Sequence, residues 1–193
     1  MKVAIMGAGF VGASLGTALV NAGHGIMFSS RDPASDKMQA LISETGVAAH
    51  AGTVQETLAY SDVVVFALSW DGALDVAASA GDWSGKIILD MTQGDSAKLA
   101  EITGARVVKI FNTIGAEHYQ NPDFGGLPAT MYYCGDDADA KQTAAQLASD
   151  LGFDPFDAGD LSMNKHLVNL AMFWITLMRN GFGRDFAFKI IRK

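Results

Sequence analysis

The stretch from Val3 to Gly12 constrains this chain more than any other. Four apolar residues, Val3-Ala4-Ile5-Met6, run directly into Gly7-Ala8-Gly9-Phe10-Val11-Gly12. In a strand-to-helix turn of this spacing the three glycines have separate jobs. Gly7 permits the tight turn, Gly9 lets backbone approach a pyrophosphate, and Gly12 lets the helix pack close to the strand. The helix opening then presents unpaired N–H groups and the positive end of its dipole to an anion. The glycine pattern alone is weak evidence; its place after a strand, before a helix and inside a β-α-β unit gives it content. The run predicts a dinucleotide-binding α/β domain.

The rest of the chain alternates in the same way. Strands are expected at Val3–Met6, Ile26–Phe28, Val63–Leu68, Lys86–Leu89 and Arg106–Ile110, with later ones at Ala129–Cys134 and Phe153–Phe156. Helices are expected at Gly12–Asn21, Asp36–Glu44, Asp71–Ala80 and Asp137–Asp150. The fully apolar run Val63-Val64-Val65-Phe66-Ala67-Leu68 suits a parallel strand covered on both faces. This order predicts a Rossmann-type, doubly wound parallel sheet. From Leu161 the pattern changes to an apolar helix and a short basic end, read as a solvated helix terminus around Lys189, Arg192 and Lys193. The expected organisation is a Rossmann domain over 1–160 and a C-terminal helical segment, 161–193, packed on it as a cover.

The residues after the second strand speak to which dinucleotide. A site for NAD usually ends that strand with an acid that holds the ribose 2′-hydroxyl. Here the sequence is Phe28-Ser29-Ser30-Arg31-Asp32. Two hydroxyls and an arginine occupy the position, and a forked guanidinium suits a 2′-phosphate. NADP(H) is therefore expected over NAD(H). Asp32, before Pro33, is read as shaping the turn.

Composition excludes several partners. With 49% hydrophobic and 18% charged residues the chain can bury a sizeable core. Its net charge of −7 disfavours nucleic acid and anionic membrane, neither of which offers counter-charge. A single cysteine, Cys134, permits no internal disulfide and no zinc knuckle, which fits a reducing cytosol. The opening apolar run is too short for a signal-peptide core. The longest apolar stretch, Leu167–Met178, falls short of a membrane span. The expectations are a cytoplasmic protein, no metal site, and a small-molecule electron acceptor or donor as partner.

Beyond these readings the chain resembles the coenzyme F420-dependent NADP oxidoreductase family. The resemblance is carried by Met1 to Pro33, by Ala67-Leu68-Ser69-Trp70, and by Val108-Lys109-Ile110-Phe111-Asn112-Thr113-Ile114. Cys134-Gly135-Asp136-Asp137, the stretch Leu151 to Gly159 and the ending Gly183 to Lys189 extend it along nearly the whole chain. It is also similar to the cytosolic NADPH domain of the six-transmembrane metalloreductases. The resemblance implies that Ser30 and Arg31 hold the 2′-phosphate and that Ala8 to Val11 line the pyrophosphate. It implies that Leu68, Ser69 and Trp70 lie along the nicotinamide half, with Thr92 and Asn112, Thr113 and Ile114 on the same rim. All of these follow strand ends, where open α/β sheets bind ligands. Met91-Thr92-Gln93-Gly94 departs from the pattern, since many relatives carry an Asn-Pro pair there.

No catalytic residue is assigned. Neither a Ser-His-Asp set nor a paired-carboxylate arrangement stands out. His24 reads as a surface residue; His50 lies toward the productive rim with nothing to orient it. His118 is the best placed of the four histidines, yet structural or solvent-facing. His166 begins the apolar helix. Cys134 reads as a small core residue. The absence of acid–base machinery suits hydride exchange with a deazaflavin such as coenzyme F420, or with a flavin, because such rings carry their own electron sink. The alternatives are a reductase of another acceptor (free flavin, ferric chelate, small imine) and a non-catalytic NADPH-sensing module. The apolar C-terminal helix, Leu167–Met178, reads as core packing against the sheet, a homodimer seam or the apolar wall of the second-substrate site, and its wide apolar face can serve more than one of these.

Overall fold

The computed structural model describes all 193 residues. Eight strands form one sheet: β1 Lys2–Met6, β2 Gly25–Ser29, β3 Ala49–Gly52, β4 Val63–Phe66, β5 Ile87–Asp90, β6 Arg106–Lys109, β7 Thr130–Gly135 and β8 Asp154–Asp157. Their order is β3-β2-β1-β4-β5-β6-β7-β8. Every neighbouring pair is parallel except β6 and β7. The chain therefore winds outward in one direction from β1 and in the other from β4. The crevice of a doubly wound sheet opens where that order reverses.

Seven α-helices cover the sheet: α1 Phe10–Asn21, α2 Asp36–Thr45, α3 Val54–Tyr60, α4 Trp70–Ser79, α5 Ser96–Thr103, α6 Ala138–Asp150 and α7 Asn164–Leu177. Strand side chains alternate between the two faces. Val3 and Ile5 join one core cluster with Leu15 and Leu19 of α1 and Ala144 and Leu147 of α6. Ala4 and Met6 join the other with Ala73 and Ala77 of α4 and Leu99 of α5. Because both faces are covered, β4 is apolar at every position; burying each such side chain contributes about 1.5–3 kcal/mol.

Several expected elements shift at their ends. Helix α1 begins at Phe10 rather than Gly12, and β4 stops at Phe66. Ala67 still donates to the Met6 carbonyl, and its own carbonyl and the Leu68 side chain lie beneath Gly7 of the glycine turn. Three elements, β3, α3 and α5, were not expected. For α3 a signal exists in Thr53-Val54-Gln55-Glu56. The Thr53 hydroxyl accepts from the Glu56 amide while the Glu56 carboxylate accepts from the Thr53 amide, a reciprocal cap.

The basic end is a correction. Beyond α7 the chain forms one wide turn, Met178–Phe182, and residues 183–193 are not helical. They run along the start of β7, where Thr130 donates to the Phe188 carbonyl and Ile190 donates to the Thr130 hydroxyl. Lys189 pairs with Asp154, and Arg192 lies 5.0 Å over the Phe156 ring. Gly181 and Gly183, at φ of 88° and 79°, end the helix before the basic residues, so these do not form a helix terminus. No helix is long and apolar enough to cross a membrane.

Candidate functional site

A groove of about 960 Å³ opens at the β1/β4 switch point. Gly7, Ala8, Gly9, Phe10, Ser29, Ser30, Arg31 and Leu68 all line it. The first turn of α2 contributes Ser35 and Lys37 beside Arg31, and α4 contributes Gly72 and Val76 beyond Leu68.

The three glycines of the turn separate by their surroundings. Gly7 has a φ of +107°, and a Cβ on it would stand 2.4 Å from the Ala67 carbonyl oxygen. On Gly12 a Cβ would stand 2.1 Å from the Gly7 carbonyl oxygen. Both are required by the fold itself. On Gly9 a Cβ would meet nothing within 4 Å. Gly9 is the N-cap of α1 and has no side chain to satisfy the helix start. The bare backbone there faces open groove, so the helix N–H groups are free for an anion.

At one end of the groove the loop after β2 is built to present donors. The Ser29 hydroxyl accepts from the Gly7 amide at 3.1 Å and ties the loop to the turn. The Ser30 hydroxyl accepts from the Asp32 amide, and Asp32 accepts from the Ala34 amide, so Asp32 shapes the turn as expected. Arg31 is exposed and its guanidinium forms no ion pair within the chain. Sequence reading missed Lys37. Its signal is position: a cation in the first turn of the helix that follows the Ser-Arg loop.

The other expected residues form a buried rim at the carboxyl ends of β5 and β6. Thr92, Asn112, Thr113 and Ile114 are all buried. Phe111, also buried, holds a φ of +64°, a left-handed conformation unusual for an aromatic residue. Tyr119 secures it by donating to the Phe111 carbonyl at 2.7 Å. The bend delivers Asn112, whose Nδ2 donates to the Leu167 carbonyl of α7 at 3.3 Å. Its Oδ1 and the Thr113 hydroxyl are buried with no partner. Ser69 caps α4, accepting from the Gly72 amide. Val11 lies on the exposed face of α1, outside the groove wall.

Trp70 does not line this groove. It lines a second cavity of about 860 Å³ between α5 and the start of α7, together with Gly94, Asp95, Asn164 and Lys165. Beneath this rim lies a pair that sequence reading did not single out. Lys109 Nζ is 3.1 Å from Asp90 Oδ2, and both side chains are fully buried. Burial pushes the Lys109 ammonium below its ordinary value, opposed by the neighbouring Asp90 carboxylate.

The histidines contribute nothing to either opening. His24 is a correction: it is buried, not on the surface, with Nε2 3.2 Å from Asp150 Oδ2. The short loop between α1 and β2 folds it under the end of α6. His50 lies in mid-strand on β3, not at the rim. His118 Nε2 meets the Arg184 carbonyl oxygen at 2.9 Å, and His166 is exposed on α7. Cys134 is fully buried, and burial pushes its thiol up to about 12.

These features fit a phosphorylated dinucleotide. The groove has open backbone at Gly9 and unpaired cations at its Ser30-Arg31 end, and the buried rim beyond its wall holds an orphaned carbonyl oxygen on Asn112 for an amide donor. Comparison with known proteins agrees. Residues 2–94 match the family described as NADP oxidoreductase, coenzyme F420-dependent. The chain is 30% identical over 173 residues to metalloreductase STEAP3 of Rattus norvegicus, covering 83% of this chain and 34% of that protein. It spans about a third of the length of the curated relatives it matches. A crystal structure of a candidate F420-dependent NADP reductase from Arthrobacter sp. FB24 superposes with a TM-score of 0.89 at 27% identity, over 100% of both chains. A reductive aminase from Aspergillus terreus in complex with NADPH4, cyclohexanone and allyl amine shares the fold, with a TM-score of 0.71 at 22% identity over 94% of this chain and 62% of that one.

Proposed function

We propose, from the match of residues 2–94 to the coenzyme F420-dependent NADP oxidoreductase family, that the chain transfers hydride between NADP(H) and a deazaflavin such as coenzyme F420, or a flavin-type acceptor. When bound, the nicotinamide supplies the hydride; the chain's work is to hold and orient. Arg31, with Ser29, Ser30 and Lys37 nearby, takes the 2′-phosphate. Gly9 and the opening of α1 take the pyrophosphate. Leu68 and Ser69 direct the nicotinamide half toward Thr92, Asn112, Thr113 and Ile114, and Asn112 Oδ1 accepts from the carboxamide. The second cavity beside Trp70 is the place for the acceptor.

One observation carries this reading. Arg31 and the bare backbone at Gly9 line the groove, and the buried rim residues Thr92, Asn112, Thr113 and Ile114 carry no acid or base, the ionisable Asp95, Asp136, Asp160 and Lys165 lying on the wall of the second cavity. Transfer between two rings needs alignment at roughly 3–3.5 Å more than it needs a proton donor, whereas carbonyl or imine reduction more often uses a placed acid. Residues 161–193 are read as part of the same unit, and the protein as cytoplasmic, with α7 as a homodimer seam.

The test is oxidation of NADPH carrying deuterium at C4, with F420, riboflavin, ferric citrate and a cyclic imine offered in turn. Turnover with F420 or flavin is expected, and with F420 the deuterium should remain on the product ring. Turnover with the imine alone would assign the chain to imine reduction. Tight NADPH binding without turnover on any acceptor would make it a sensing module.

A further inference from the structure

We propose that the buried Asp90–Lys109 pair is a positioning element for the nicotinamide rim, fixing Thr92 from both sides and docking the first turn of α7 onto it. The inference rests on the reading of the groove as the NADP site.

The geometry converges on one loop. Asp90 Oδ1 accepts from the Thr92 amide at 2.8 Å. Lys109 Nζ donates to the Thr92 carbonyl and, at 3.1 Å, to Asp90 Oδ2. Both peptide groups of Thr92 are therefore held by the same ion pair. The Thr92 hydroxyl in turn accepts from the Gly94 amide at 3.1 Å. A second branch leaves Asp90 toward α7. The Ser96 hydroxyl lies between Asp90 Oδ2, at 2.6 Å, and Asn164 Oδ1, at 2.9 Å. Asn164 Nδ2 donates to the Gly94 carbonyl at 3.1 Å.

Such a pair is poorly explained by stability. Desolvating two charges costs as much as their attraction returns, and a dry apolar pair of similar volume is often as stable. Neither side chain has any exposed surface, so neither touches cofactor or substrate. What the pair does provide is a fixed loop. Met91-Thr92-Gln93-Gly94 contains no proline to set a backbone angle. Its conformation is imposed instead from beneath, by Asp90 and Lys109.

The test compares two ligands on one variant. Asp90→Asn with Lys109→Met removes both charges and leaves an acceptor for the Thr92 amide. Binding of 2′,5′-ADP, which has no nicotinamide, should stay within about twofold of wild type, while NADPH binding should weaken about tenfold. A variant that merely loosened the fold would lower both affinities together, and that result overturns the proposal. So does an unchanged ratio of the two affinities. Should the double variant fail to fold, Ser96→Ala severs only the branch to α7, and the same selective loss for NADPH is expected. If wild-type protein does not bind 2′,5′-ADP at all, the groove reading has failed, and this inference with it.

Discussion

A methyl group placed on Gly94 would stand 1.9 Å from Cε3 of Trp70, so the indole lies directly on bare backbone of the loop after β5. This contact joins the first turn of α4 to the rim that Asp90 and Lys109 hold. It predicts that Gly94→Ala forces Trp70 out of place and costs about 1–3 kcal/mol, as overpacking does. In a Trp70→Ala background the same substitution should be nearly free. Urea unfolding of the four proteins in the cycle measures the coupling. Additive effects would mean the two residues do not depend on each other.

Much of this site could be read from the sequence because its parts are local. The glycine turn works through backbone conformation within six residues, and Ser30-Arg31 follows a strand end by a few positions. The rim was harder to read. Phe111 occupies a left-handed conformation that no residue preference announces, and Tyr119 stabilises it from eight positions away. Lys109 lies within an expected strand with nothing local to mark it, and its partner is 19 residues distant. Trp70 lines the neighbouring cavity with its ring on Gly94, a contact between residues 24 positions apart. The antiparallel β7 and the extended tail after Gly183 likewise depend on pairing across the sheet, which local pattern does not encode.

The glycines of the turn should respond differently to substitution. Gly9→Val adds its side chain to open groove at a φ of −77°, which valine tolerates. The variant should fold, with thermal unfolding close to wild type, and lose NADPH affinity by about tenfold or more. Gly12→Val would collide with the Gly7 carbonyl and should unfold the turn. Normal NADPH binding by folded Gly9→Val would reduce the motif to a structural turn.

His24 sets a pH dependence of stability. Burial, and then the neighbouring N-terminal ammonium, lower its value, outweighing the Asp150 carboxylate that raises it. The folded protein thus keeps the neutral ring where the unfolded chain would already bind a proton. The stability this contributes is complete above the ordinary histidine value of about 6.5 and is lost progressively as pH falls toward the lowered folded value. Denaturant unfolding across that window should show stability falling with pH, and His24→Gln should flatten the slope. An identical slope in the variant would contradict the account.

The central claim is that the groove recognises a 2′-phosphate through Arg31, and calorimetric titration of NADPH and NADH into wild type and Arg31→Ala tests it most directly. Wild type should prefer NADPH. The variant should lose about 1.5–3 kcal/mol of NADPH binding, the worth of a hydrogen bond to a charged group, while NADH binding changes little. Equal losses for the two cofactors, or no preference for NADPH in wild type, would contradict the claim.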